Sequence, residues 1–137
     1  MDDLERARAF YGGALGLEEG RRSETWQDYN MHGHQLVVHE VKGYEAAAGR
    51  SQVDGDPVPV PHYGLVLTKP AFDALVSRLD AAGAHWEVAP HLRFEGQPGE
   101  QWTGFLYDPA GNALELKAMA TPANLFARYD VDAAPAP

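Results

Sequence analysis

The 137-residue chain contains no cysteine, which excludes a disulfide scaffold, a thiolate metal site and a cysteine nucleophile, and suits a reducing compartment. It also lacks an apolar run long enough to span a bilayer, and its opening Met1-Asp2-Asp3 is acidic where a secretion signal is basic. Positive charge is scarce: 11 Lys and Arg against 20 Asp and Glu leave a net charge of −9. The cations are scattered, so phosphate backbones are repelled, and neither nucleic acid nor a membrane is expected as a partner. There is no Gly-rich phosphate loop, nucleophile elbow or zinc-protease helix motif. The expectation is a cytoplasmic protein with a small-molecule ligand. With 45% hydrophobic residues it can build a core without staples.

The most informative stretch is Val58 to Leu67, Val-Pro-Val-Pro-His-Tyr-Gly-Leu-Val-Leu. Pro59 and Pro61 impose extended geometry, so the chain enters Tyr63 strand-like. Alternation places His62, Gly64 and Val66 on one face and Tyr63, Leu65 and Leu67 on the other, which is core. A histidine beside a glycine suits a site floor better than a packed layer.

Upstream, Asp2 or Asp3 caps a helix whose stripe is Leu4, Ala7, Phe10, Tyr11 and Leu15 and whose stop is Gly16. Three short strands follow, over Glu18 to Ser23, Thr25 to Met31 and His34 to Val41, with His32-Gly33 as a hairpin turn. These elements make residues 1–41 a first module, and 42–57 reads as a linker with a short helical piece at Tyr44 to Ala48. Residues 58–120 form a second module. In it, Thr68 and Pro70 start a helix with the stripe Phe72, Leu75, Val76, Leu79, ending at Gly83. His85 to Ala89 is a strand, Pro90 to Glu100 a polar loop, Gln101 to Tyr107 a strand, Asp108 to Asn112 a turn, and Ala113 to Ala118 the last strand. The tail at 121–137 is anchored only through Leu125, Phe126 and Tyr129, and its Ala-Pro end is expected to be disordered.

The helix stops Gly16 and Gly83 lie 83 − 16 = 67 positions apart. Subtracting that offset from His62 gives 62 − 67 = −5, upstream of Met1, so the first module lacks the strand that opens the second. Three short motifs stand at corresponding points. They are Asp3-Leu4-Glu5-Arg6-Ala7-Arg8-Ala9-Phe10-Tyr11 with Leu15-Gly16-Leu17, then His62, then Asp108-Pro109-Ala110-Gly111-Asn112-Ala113-Leu114-Glu115-Leu116. In order and spacing they resemble the vicinal oxygen chelate superfamily of glyoxalase I, fosfomycin and bleomycin resistance proteins and extradiol dioxygenases, over nearly all of Asp2 to Met119. Gly33-His34-Gln35, Val58 to His62, Arg93-Phe94 and Pro98-Gly99-Glu100-Gln101 look more narrowly like small bacterial predicted extradiol-type dioxygenases. The resemblance implies an α+β fold of two βαβββ modules, with mixed curved sheets around a cavity, and a homodimer. It also implies that a first-module ligand strand lies upstream, Met1 being a start assigned within a longer gene; the in-frame upstream DNA tests that.

The same resemblance implies a divalent metal, Fe(II) favoured and Mn, Ni or Zn possible, held by His62 on the first strand of the second module and Glu115 on the last. Imidazole and carboxylate together suit such ions and leave positions for a chelating substrate. Read alone, Glu115 shares its face with Ala113 and Lys117 and fits a solvated edge equally well. His39 shares a strand face with Gln35 and Val37, as a third ligand or as a hydrogen-bond partner behind the ligands. Tyr107 either donates to a bound oxyanion or packs in the core, and Arg93 either pairs with a substrate carboxylate or is an exposed surface arginine. The implied activity is an extradiol-type dioxygenase acting on vicinal oxygens; a non-catalytic binding protein or a glyoxalase-type lyase are the alternatives.

Overall fold

A computed structural model describes residues 1–133. Helix α1 begins as Leu4–Ala7 and continues in π-type turns over Arg8–Ala14. Asp3 caps it, its side chain accepting the Glu5 and Arg6 backbone N–H groups, as the acidic start predicts. The wide turns include Gly12 and Gly13, and Leu15 N–H reaches back five residues to the Phe10 carbonyl. Strands β1 (Glu18–Arg22), β2 (Trp26–Met31) and β3 (His34–His39) form an antiparallel meander. Its β2–β3 turn is His32-Gly33, both at positive φ, the geometry that matches the twist of a two-residue hairpin.

The second module comprises β6 (His62–Leu67), helix α2 (Lys69–Ala81), β7 (Trp86–Arg93), β8 (Gln101–Tyr107) and β9 (Ala113–Met119). They make a four-stranded sheet in the order β6-β9-β8-β7, with β6 parallel to β9 and the other pairs antiparallel. Thr68 caps α2. Gly16 and Gly83 both take positive φ, 70° and 76°, so the two helices stop by the same left-handed device.

The stretch read as a linker is different. Residues 44–48 are not helical, and Gly49–Val53 (β4) pairs with Asp56–Val60 (β5) in a hairpin that lies over the second sheet. Its turn, Asp54-Gly55, has both residues at positive φ. That dipeptide is a strong hairpin signal, obscured in the sequence by polar flanks without apolar alternation. The strand expected to end at Ala89 runs on to Arg93, replacing the start of the polar loop.

One core joins the modules: Leu4, Ala7, Tyr11 and Leu15 of the first helix region pack with Tyr29, Met31 and Val38 and with Leu65, Phe72, Leu79, Leu114 and Leu116. On β2 the inward residues are therefore Gln27, Tyr29 and Met31. Asp28 lies on the opposite face, held by Arg21 at 3.0 Å and Gln35 at 2.9 Å. In the tail, Tyr129 anchors by accepting the Gly99 N–H at 3.0 Å, whereas Phe126, expected to pack, is 87% exposed. The Ala-Pro end from 134 onward lies outside the described residues, and none of the described helices is long and apolar enough to cross a membrane.

Arg78 of α2 clamps the modules by donating to the Ala14 carbonyl at 3.1 Å and the Gly13 carbonyl at 2.9 Å. These are orphan carbonyls at the end of α1, where a cation is favoured. We expect Arg78→Ala to cost about 1–2 kcal/mol, because two charge-assisted bonds are lost at an exposed position. Arg78→Lys should recover part of it. Urea denaturation checks this, and an unchanged midpoint for Arg78→Ala would show that the clamp is idle.

Candidate functional site

The site is built on the parallel β6–β9 pair. His62 stands opposite Ala113 and Gly64 opposite Glu115 in register. Residues 53 positions apart in sequence, 115 − 62, thereby become neighbours: His62 Nε2 lies 3.3 Å from Glu115 Oε2. His62 Nδ1 lies 2.7 Å from the Pro59 carbonyl, which can only accept, so Nδ1 carries the proton. Nε2 is then left facing a carboxylate oxygen. An imidazole lone pair and a carboxylate repel unless a positive centre, proton or metal, lies between them. The Pro59 carbonyl thus supplies the hydrogen bond that aims the ring, and the ring of Phe105 supports it edge-on at 5.0 Å.

Glu115 is not the solvated edge residue it resembles in isolation. Its side chain is 11% exposed, and Oε1 accepts the Thr103 hydroxyl at 2.9 Å. Lys117 Nζ lies 3.4 Å and an Arg93 terminal nitrogen 3.9 Å from the same oxygen. One oxygen is therefore engaged by protein and the other turned to His62. Thr103 escaped the sequence reading, and Lys117 entered it only as a neighbour of Glu115 on one face, although a signal existed. The Asp108 to Asn112 turn pairs Tyr107 with Ala113, and alternation from that pair puts Phe105 beside Glu115 and Thr103 beside Lys117.

Arg93 is corrected. It is the last residue of β7 rather than part of a loop, and at 4% exposure it is no surface arginine. It donates to Asp56 of the hairpin at 3.0 Å, and its Nε is buried without a hydrogen-bond partner. Asp56 also takes His91 Nε2 at 2.9 Å, a histidine that had no positional argument in the sequence. Tyr107 stands in the row that crosses β8, β9 and β6 to His62, and its hydroxyl accepts from Arg50 of β4 at 2.6 Å. His39 ends β3 opposite Trp26, exposed on the first sheet, and lines a depression with Met1, Tyr44 and Tyr63 rather than the face that carries His62. Among the described residues no three or more His, Cys, Asp or Glu side chains are gathered so as to hold a metal.

A family model described as the glyoxalase/bleomycin resistance protein/dioxygenase superfamily matches residues 1–116. The chain belongs to that superfamily. Among solved structures it is similar to a glyoxalase/bleomycin resistance protein/dioxygenase from Alicyclobacillus acidocaldarius, at 29% identity over 92% of this chain and 90% of that one, with a TM-score of 0.75. The fold is shared by the fosfomycin resistance protein FosX from Listeria monocytogenes (20% identity, 91% of each chain, TM-score 0.64). It is shared too by a glyoxalase/dioxygenase from Nostoc punctiforme (17% identity, 88% and 86%, TM-score 0.62). No curated protein sequence matches.

Superfamily membership makes the donor set the question. With Nδ1 turned to the Pro59 carbonyl, His62 offers Nε2 and Glu115 offers Oε2, atoms of the kind a borderline divalent ion takes, converging from adjacent strands. The pair fits two positions of such a set, with Thr103 fixing the carboxylate from behind as outer partners of metal ligands do. A 210 Å³ depression lined by Tyr44, Pro61, His62, Asn112 and Ala113 opens beside the histidine.

Proposed function

We propose that this superfamily member binds a divalent metal through His62 and Glu115 and acts as an extradiol-type dioxygenase on a small substrate carrying vicinal oxygens. The observation that supports it is His62 Nε2 facing Glu115 Oε2 at 3.3 Å, with the histidine's other nitrogen already committed to Pro59. Fe(II) is the favoured ion. Mn(II) is a ready alternative, since a variant of the Listeria protein was crystallised with Mn(II) and 1S,2S-dihydroxypropylphosphonic acid. His39 supplies the third donor in this reading, from a second copy whose first sheet covers the second sheet of its partner. Exposed Val37 beside it and Val66 beside the His62–Glu115 pair are apolar surface that such a homodimer would cover.

The metal, when bound, supplies Lewis acidity to the chelating oxygens and, as iron, an electron for dioxygen. The chain's own residues orient the reactants. Arg93 pairs with a substrate carboxylate, Tyr107 donates its hydroxyl proton to a bound oxyanion, and Phe105 with Val58 and Val88 keeps water from the floor.

Metal analysis of the purified protein tests this. We expect near-stoichiometric divalent metal, and at least a tenfold loss of affinity in both His62→Ala and Glu115→Ala, because each removes one of few donors. Stoichiometric metal retained by both variants would refute the assignment. A second reading, a non-catalytic small-molecule binder, is favoured by the presence of only two converging donors among the described residues. Oxygen uptake with a catechol separates the two, and turnover without oxygen would point to a lyase.

A further inference from the structure

The β4–β5 hairpin covers one face of the second sheet, where its Val58 packs with Val88 and Phe105. The polar contacts at its tip have a particular form. Asp56 Oδ2 is shared between Arg93, at 3.0 Å, and His91 Nε2, at 2.9 Å. His91 Nδ1 lies 2.8 Å from the Ala89 carbonyl, so both ring nitrogens face acceptors. Arg93 is buried, its Nε has no partner, and its guanidinium carbon sits 5.5 Å from the centre of the Phe105 ring that supports His62. A buried guanidinium with an unused donor has more binding capacity than Asp56 takes up. The hairpin is otherwise held by Asp54, which accepts the Phe94 N–H at 2.8 Å, and by Arg50, which bridges Glu87 and Tyr107.

We infer that Arg93 and His91 form a carboxylate-binding slot that the hairpin fills with its own Asp56, so that a carboxylate ligand enters the slot by displacing Asp56 and lifting the hairpin. This deepens the proposed function and rests on its placing of Arg93 toward substrate. The ligand class is a carboxylate because the resident group is one, and because a forked guanidinium on an aromatic support matches that geometry better than a spherical anion. An intrachain carboxylate is present at high effective concentration and keeps the buried cation paired while the site is empty. Asp56 is here a positioning residue that competes with ligand.

The test uses the full chain freed of metal by chelation, with formate as the probe and chloride at equal ionic strength as the control. Asp56→Ala should bind formate on the order of tenfold more tightly than the wild-type chain, seen as saturable amide shifts at His91 to Phe94. Asp56→Asn, whose amide still fills the slot, should gain less. Adding Arg93→Gln should abolish the gain. Adding His62→Ala should leave it intact, so that failure of the slot and failure of the metal assignment are separately visible. In the wild-type chain, excess formate should speed hydrogen exchange of β4 and β5 amides while β8 and β9 keep their protection. A merely structural Asp56 would loosen the hairpin on substitution without any gain in formate binding. Formate binding to Asp56→Ala no better than chloride, or wild-type hairpin exchange unmoved by formate, overturns the inference, and the second measurement stands even if the variants do not fold.

Discussion

Replacing Gly64 with alanine is expected to cost about 4 kcal/mol or more and to break the β6–β9 pair, a result at the upper end of single substitutions. A Cβ at Gly64 would lie 1.8 Å from the Glu115 carbonyl oxygen, 2.7 Å from its carbonyl carbon and 2.9 Å from its nitrogen. Even weak C–H···O contacts keep carbon and oxygen roughly 3.3 Å apart. The obstacle is backbone, so no side-chain rotation relieves it, and β6 must move away from β9. Because His62 and Glu115 face each other across that pair, the variant should lose the proposed metal site together with the fold. Denaturant unfolding reads the first effect and metal content the second. Gly13→Ala is the control: its nearest new contact is 3.9 Å, and a helical glycine so replaced should be neutral or gain up to about 1 kcal/mol. A Gly64→Ala protein as stable as the parent would mean that the two strands are not so closely apposed.

Asp108→Ala should be the other severe variant, at about 3–5 kcal/mol. The carboxylate is 4% exposed and takes four hydrogen bonds. Oδ1 accepts the Ala110 and Asn112 N–H groups at 2.9 and 2.8 Å, and Oδ2 accepts the Asn112 side chain at 2.8 Å and the Tyr11 hydroxyl at 2.6 Å. Tyr11 in turn accepts from Tyr63 at 2.5 Å, so one chain of bonds runs from the first helix through the β8–β9 turn to β6. Alanine takes the acceptor from all four donors at once, the buried Tyr11 hydroxyl among them. Asp108→Asn keeps the volume but points an NH2 at donors on one arm, and should lose roughly half as much. The same chain sets an alkaline limit. Burial pushes the Tyr63 hydroxyl up to about 12 and raises Tyr11 further. With folded values above the unfolded value near 10, the stabilisation is complete below about pH 10 and is lost as pH rises toward 12. Tyr63→Phe should flatten that decline, and unfolding midpoints at about pH 9 and 11 compare the two.

The features legible in advance were those set by short-range chemistry. Asp3 as a cap, Gly16 and Gly83 as left-handed stops, His32-Gly33 as a turn and the Asp108 to Asn112 turn each depend on a few adjacent residues. The features that were not legible depend on register between distant strands. Arg93 read as a loop residue because Pro90 lies before it and Gly96 to Gly99 after it, yet β7 tolerates Pro90 at the sheet's outer strand, where a missing N–H costs little. The hairpin at 49–60 hid because its partner surface, Val88 and Phe105, lies 30 to 50 residues away. Alternation along one strand therefore could not show that Val58 faces inward.

His62 and Glu115 show where the division falls. Sequence alone determined that a proline-led strand starts with a histidine next to a glycine, that the last strand carries a carboxylate on alternate positions, and that repeat spacing sets both in one module. Only the tertiary structure decided that Gly64 lets β6 and β9 close to contact, that the Pro59 carbonyl accepts the histidine's Nδ1–H, and that Arg93, Thr103 and Lys117 surround the carboxylate. The physical reason is that hydrogen-bond geometry and charge separation are functions of distance through space, whereas local propensity is a function of distance along the chain.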